Sequence, residues 1–267
     1  MAYFTEQRRT SFDVAARLYD AARPDYPEQM VDAIIGYAQL PKGARALEIG
    51  AGTGQATAQF AGRGIAVDAV EPGAAMADVI REKFDGSALQ VTVQTADFES
   101  AALEPGNYDL VLASTSWHWL TPGLRWQRVA DALKPGGTLA VFWNMPRWRR
   151  TALIDRLDAV YVRSGADLSQ LGPMLTTEVE QGALMREWAV DATDVDAFSD
   201  CRGAEYQWSA DYDADGYAAL LGTYGDHLTL DPEVRERLLA SVASVIEEHG
   251  GTIELPYATH LLVARRA

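Results

Sequence analysis

The stretch 50-GAGTG-54 follows the apolar run 46-ALEI-49. Glycines at alternate positions let a backbone turn tightly and let a ligand touch the main chain with no Cβ in the way. A helix start follows, so free N–H groups would face that ligand. No Lys-Ser/Thr follows Gly54, which excludes a Walker loop, and G-x-G-x-G falls short of the dinucleotide fingerprint. A tight structural turn is the alternative. Glu71 ends the next apolar run, 21 residues after Gly50, a spacing at which an acid reaches ribose hydroxyls in doubly wound nucleotide sites. Its alternative is an exposed strand-end carboxylate. Asp97-Phe98 pairs an acid with an aromatic ring, a set suited to an adenine amine and its ring face, or to a turn. His118 stands between Trp117 and Trp119, one of four histidines in the chain. An unperturbed imidazole suits proton transfer near neutrality. The other reading of His118 is a side chain that packs under the next helix.

These residues need elements to hold them. Ser11 is expected to cap a first helix carrying Phe12, Ala15, Ala16 and Tyr19 on one face, and Arg23-Pro24-Asp25-Tyr26-Pro27 ends it. Pro27 suits the start of a second helix to about Gln39. Strands are expected at 45–50, 65–71, 89–97, 108–115 and 138–144, with helices after the glycine loop, at 74–84 and from Pro122. Lys134-Pro135-Gly136-Gly137 is read as a helix stop. Alternating strands and helices, with few polar residues inside the strands, indicate a parallel sheet covered on both faces. From 145 to about 200 the pattern reads as largely helical, without a clear strand. A sixth strand is expected at 203–210, helices near 215–224 and from Asp231-Pro232 to Gly250-Gly251, and a last strand within 254–266.

The chain has 267 residues, enough to bury a full core, and a formal net charge of −15. Twenty of its 23 basic residues are arginines, well scattered. Such a surface repels polyanions, which disfavours nucleic acid and membrane-surface partners and leaves a small molecule. Cys201 is the one cysteine, so neither an intrachain disulfide nor a multi-cysteine zinc site is expected. No apolar run approaches a membrane span and no secretory signal is seen at the start, which reads as cytoplasmic.

The segments 46-ALEIGAGTGQAT-57, 67-VDAVEPGAAM-76, 96-ADFE-99, 108-YDLVLASTSWHW-119 and 133-LKPGGTLAVFW-143 stand in an order and spacing that resemble the class I S-adenosylmethionine-dependent methyltransferases. The stretch 19-YDAARPDYP-27 is similar to the small-molecule subgroup that includes trans-aconitate methyltransferase-like proteins. The resemblance implies a Rossmann-like, doubly wound α/β sheet of seven strands, the last antiparallel. A helical N-terminal lid (1–40) would precede a cofactor-binding core (41–145). A mostly helical substrate-recognition insertion (146–200) and a completion of the sheet (201–267) would follow. It implies S-adenosyl-L-methionine as cofactor and S-adenosyl-L-homocysteine as product. Gly50, Ala51, Gly52, Thr53, Gly54 and Gln55 would lie against the methionine part, and Glu71 and Pro72 by the ribose. Met76, Asp97 and Phe98 would surround the adenine, and Tyr19, Arg23 and Ser114 would complete the cofactor surface. His118 would take a proton from the acceptor or orient it. Tyr26, Trp117, Trp119, Trp143 and Arg147 would line the acceptor site, although at least one tryptophan is expected to be simple core. The cluster 146-PRWRR-150 could bind a substrate carboxylate or pair with surface acids. The tryptophans favour an apolar or aromatic acceptor. Competing readings are a carboxylate O-methyltransferase of trans-aconitate type, a nucleic-acid or protein methyltransferase, and a cofactor-binding protein without catalysis. Monomer and homodimer are both open.

Overall fold

Runs of buried apolar residues bounded by glycine and proline set the strands. The computed structural model describes residues 11–148, 151–164 and 196–267. Its strands are β1 (Arg45–Ile49), β2 (Ala66–Glu71), β3 (Val91–Thr95), β4 (Tyr108–Ser114), β5 (Leu133–Pro146), β6 (Phe198–Asp213) and β7 (Thr252–Arg266). They form one seven-stranded sheet in the order β3-β2-β1-β4-β5-β7-β6. β1 pairs in parallel with β2 and β4, β2 with β3, and β4 with β5. The last strand is antiparallel, giving the α/β Rossmann-like sheet expected. The chain walks outward from β1 to β3 and then resumes on the other side at β4. That reversal opens a crevice at the C-terminal ends of β1 and β4, where open α/β sheets place their ligands.

The helices are α1 (Ala16–Ala22), α2 (Glu28–Ala38), α3 (Gln55–Ala61), α4 (Ala74–Phe84), α5 (Pro122–Ala132), α6 (Ala152–Ser164), α7 (Ala214–Leu221), α8 (Gly225–Leu228) and α9 (Pro232–Glu248). By their contacts the described residues form two compact units. One comprises 11–24, 145–148, 151–164 and 207–258; the other comprises 25–144, 196–206 and 259–267. β5, β6 and β7 each contribute residues to both.

In the second unit, Met30, Val31 and Ile34 of α2 pack with Phe60 of α3, Leu110 and Leu112 of β4 and Leu261 and Val263 of β7. In the first, Leu157 and Val160 of α6, Leu220 and Leu221 of α7 and Leu238, Val242 and Ile246 of α9 form a core. Each such side chain contributes roughly 1.5–3 kcal/mol by leaving water. Asp231 caps α9, its carboxylate accepting from the Glu233 and Val234 amides at 3.0 and 3.2 Å.

Three local expectations need correction. Ser11 does not cap the first α-helix: a 3-10 turn at Asp13–Ala15 comes first, Ala15 leaves helical geometry at φ −112°, and α1 begins at Ala16. The helix from Pro122 does stop at Ala132, just before Lys134-Pro135-Gly136-Gly137, but the strand expected from 138 already begins at Leu133 and takes in those four residues, with a register shift between Tyr108 and Leu110 that absorbs them as a bulge. Phe198, Ser199 and Asp200, read as helical, open β6, whose half-buried and exposed residues alternate from Tyr206 to Asp213. Most of the proposed insertion, residues 165–195, lies outside the described residues, as do Arg149 and Arg150.

Candidate functional site

The glycine loop turns where β1 ends. Gly50, Gly52 and Gly54 have φ of +63°, +60° and +84°, in the left-handed region where a side chain is strained. A Cβ on Gly50 would stand 2.6 Å from Ser116 Cβ, so the close approach of the β4 end also excludes a side chain there. Ser116 is held by a hydrogen bond from its hydroxyl to the Ile49 carbonyl. Ala51 and Thr53 are buried, and Lys83 of α4 donates to the Thr53 carbonyl at 2.8 Å.

Glu71, at the end of β2, accepts from the Gly52 amide at 2.8 Å through one oxygen and from the Gly73 amide at 2.8 Å through the other. Those two amides fix the carboxylate beside the loop. Pro72 is exposed and Met76 is buried in the first turn of α4. Asp97 is exposed after β3. Phe98 is buried, with the Arg128 guanidinium 5.3 Å from its ring centroid and donating to its carbonyl at 2.9 Å.

Ser114 ends β4 and donates to Glu48 at 2.8 Å, while Thr57 of α3 donates to the other Glu48 oxygen at 2.5 Å. Glu48 is the residue that motif reading passed over. Its signal was a carboxylate inside a buried apolar strand. Burial pushes its carboxyl up to about 7, opposed by the two hydroxyls and by Lys83. It ties β1, α3 and β4 together beneath the loop.

After β4 the backbone is strained: Thr115, β-branched, has φ +54°. Its hydroxyl meets the Tyr26 hydroxyl at 3.0 Å, and the Tyr26 ring stands edge-on to Phe142 at 4.7 Å between centroids. Residues Trp117–Trp119 form a 3-10 turn. Trp117 is fully buried against Trp126, centroids 4.8 Å apart, so it is core. The Trp119 ring lies 5.0 Å from His118. Trp143 is buried at the end of β5, and its indole N–H donates to His118 Nδ1 at 3.3 Å. With Nδ1 accepting, the ring proton of neutral His118 sits on Nε2. Burial, and then the nearby Arg125, lower the His118 pKa to about 3. A neutral imidazole with its Nδ1 lone pair engaged is a hydrogen-bond donor rather than a poised base.

Tyr19, Arg23 and Arg147 belong to the first unit. Arg23 Nε donates to the Thr223 hydroxyl at 2.8 Å, and its guanidinium lies over the Tyr19 and Tyr224 rings. The Arg147 amide donates to the Pro256 carbonyl at 2.7 Å.

The loop residues fit an adenosyl amino acid. Gln55 Nε2 is a buried donor without an acceptor among the described residues, the three positive-φ glycines leave main chain bare, and the Glu71 carboxylate is preset. Residues 46–137 match the family model of a methyltransferase domain. An uncharacterized methyltransferase of Mycobacterium tuberculosis is 36% identical over 157 residues, 58% of this chain and 60% of that protein. The chain thus spans about 60% of the length of the first curated relatives it matches. The fold is similar to that of a putative type II methyltransferase from Anaeromyxobacter dehalogenans, with a TM-score of 0.54, 22% identity and coverage of 91% of this chain and 96% of that one. It is also similar to Haemonchus contortus phosphoethanolamine N-methyltransferase 2, solved with phosphomonomethylethanolamine and S-adenosylhomocysteine, with a TM-score of 0.51, 17% identity and coverage of 95% of this chain and 57% of that one. In sequence the region 46–137 is similar to a methyltransferase domain, and the sheet that carries its glycine loop has the fold of the solved methyltransferases.

Proposed function

We propose that this chain transfers a methyl group from S-adenosylmethionine to a small organic acceptor with apolar or aromatic character. The observation that carries the reading is the Glu71 carboxylate, preset by the Gly52 and Gly73 amides at the crevice edge. It would receive the ribose hydroxyls, with Gly50 to Gln55 along the amino acid part and Met76, Asp97 and Phe98 on the adenine side. The cofactor supplies an activated methyl on a sulfonium, so the chain's task is mainly to align and to exclude water. Buried Trp143 and the neighbouring Trp119 support the apolar acceptor.

His118 enters as a positioning donor. Its Nε2–H can orient an acceptor through an oxygen or nitrogen lone pair, while Trp143 holds the ring from the other side. Tyr26 is kept as a proposed acceptor contact. Among the described residues no hydrogen bond or ion pair favours the trans-aconitate type over other acceptors.

Calorimetric titration with S-adenosylhomocysteine tests the cofactor assignment. Micromolar binding is expected, and Glu71→Gln is expected to weaken it about tenfold through loss of charge-assisted hydrogen bonds. Absence of heat with the unmodified chain would sink the reading. Turnover of a metabolite panel separates an enzyme from a binder.

A further inference from the structure

The tyrosine cluster of the first unit, in which Tyr161 of α6 meets His227 at 2.8 Å, is closed core. The turn that follows β3 in the second unit differs, because it carries an exposed acid on a fastened backbone. Residues 97–101 close on themselves. The Asp97 carbonyl accepts from the Ser100 amide at 3.0 Å and from the Ala101 amide at 2.9 Å. α5 then holds this turn at two places. At its start, one Glu99 carboxylate oxygen accepts from the Thr121 amide at 3.0 Å and from the Thr121 hydroxyl at 3.2 Å. About two helical turns further on, Arg128 donates through Nε to the Phe98 carbonyl at 2.9 Å and through Nη2 to the Ala101 carbonyl at 2.6 Å. Its guanidinium also lies 5.3 Å from the Phe98 ring centroid. Arg128 stands outside every segment that carries the family resemblance.

A planar fork that bridges two carbonyls of one turn fixes the orientation of that turn as well as its position. Lysine, a point charge on a flexible stem, cannot do both. The two residues at the head of the turn have opposite surroundings. Phe98 is 3% exposed and anchors the turn, whereas Asp97 is exposed. A carboxylate on a loose loop must be ordered when a ligand binds, and that ordering weakens binding. On a turn fastened twice, the ordering is complete before the ligand arrives. α5 begins just after the Trp117–Trp119 turn, so the same helix supports both the 97–101 turn and the segment of His118.

We infer that Arg128, assisted by Glu99, is a positioning residue for adenine, holding the 97–101 turn so that the Asp97 carboxylate meets the exocyclic amine. This rests on the proposed use of S-adenosylmethionine. Arg128 acts through the Phe98 and Ala101 carbonyls rather than on the cofactor. The property it sets is the choice of adenine over a purine with a carbonyl at the same ring position. An amine there donates to a carboxylate, whereas a carbonyl oxygen has no proton to give.

The test compares two ligands on the full chain by calorimetry: S-adenosylhomocysteine and its deaminated form, S-inosylhomocysteine. The unmodified chain is expected to bind the adenine form about tenfold more tightly. Arg128→Met keeps an apolar stem beside Phe98 and removes both donors, and its preference is expected to fall to about twofold or less. Arg128→Lys keeps the charge without the fork and is expected to fall between the two. A merely structural arginine would lower the melting temperature and leave the ratio of the two affinities unchanged in Arg128→Met. That outcome overturns the inference and leaves the proposed function standing. Equal binding of both ligands by the unmodified chain overturns it too. So does loss of the folded state in both variants, which would make Arg128 a tie of the fold alone. Silence of the unmodified chain towards both ligands would remove the proposed function, and this inference with it.

Discussion

The glycine-loop edge and the tyrosine cluster are built in opposite ways. At the loop, partners are close in sequence: the Gly52 amide and Glu71 are 19 residues apart. In the cluster, Tyr161 and His227 are 66 apart and Arg23 and Thr223 are 200 apart. The loop uses main-chain amides and bare glycines, which tolerate change poorly. The cluster uses side chains at widely separated positions, which can be altered one at a time. A turn made from backbone can recur wherever the fold recurs; a cluster made from distant side chains belongs to one sequence.

The sharpest way to break this contrast is Gly50→Ala. The new Cβ meets Ser116 at 2.6 Å on a backbone at φ +63°. A loss of about 3 kcal/mol in urea denaturation is expected, from left-handed strain and overpacking together. A loss below about 1 kcal/mol would mean that the loop yields as readily as a side-chain cluster.

The same contrast explains what could be read in advance. β1, the loop, β2 and α4 announce themselves through apolar runs, glycines and a strand-end acid within 40-odd residues of chain, roughly the span that local propensity and turn chemistry govern. The early start of β5 was not legible, because Pro135, Gly136 and Gly137 mark the end of the preceding helix and only pairing with β4 draws them into the strand. Glu48 was legible as an anomaly but not as a tie, since Thr57 and Ser114 come to it from α3 and β4. The Tyr161–His227 pair left no mark in the sequence at all. Of the two tryptophans beside His118, the expectation that at least one is core holds for Trp117.

A smaller effect concerns His118, which sharpens the comparison by asking whether the loop edge also uses a titrating side chain. With its pKa lowered to about 3, single-turnover rates are expected to show no limb from His118 between pH 5 and 8. A limb near 6.5 that vanishes in His118→Asn would restore the base role. Trp143→Phe removes the donor to Nδ1 and is expected to move the imidazole pKa upward, read by NMR titration. The linkage has a definite sign. The unfolded imidazole, near 6.5, holds more protons than the folded one, near 3, so this residue's contribution to stability is present above 6.5 and is lost as the pH falls towards 3. His118→Asn should flatten that part of a stability–pH curve.

The smallest expected effect lies away from both regions. Asp231→Ala removes the cap from α9, and a loss of about 1 kcal/mol is expected in the same denaturation assay. A larger loss would show that the first unit depends on α9 beyond its terminal turn.

β6 has a consequence for how copies of the chain treat one another. It is a 16-residue strand at the end of the sheet order. Unpaired edges invite a neighbouring chain to extend the sheet, which is the first step of aggregation. Here the exposed positions include Glu205, Asp211 and Asp213, and Asp200 interrupts the strand at φ +49°. Two copies aligned along this edge would bring carboxylate towards carboxylate, on chains that each carry a net charge of −15. The edge therefore guards itself by charge. Changing Glu205 to Gln and Asp211 and Asp213 to Asn together removes the guard, and turbidity of a concentrated solution would then rise.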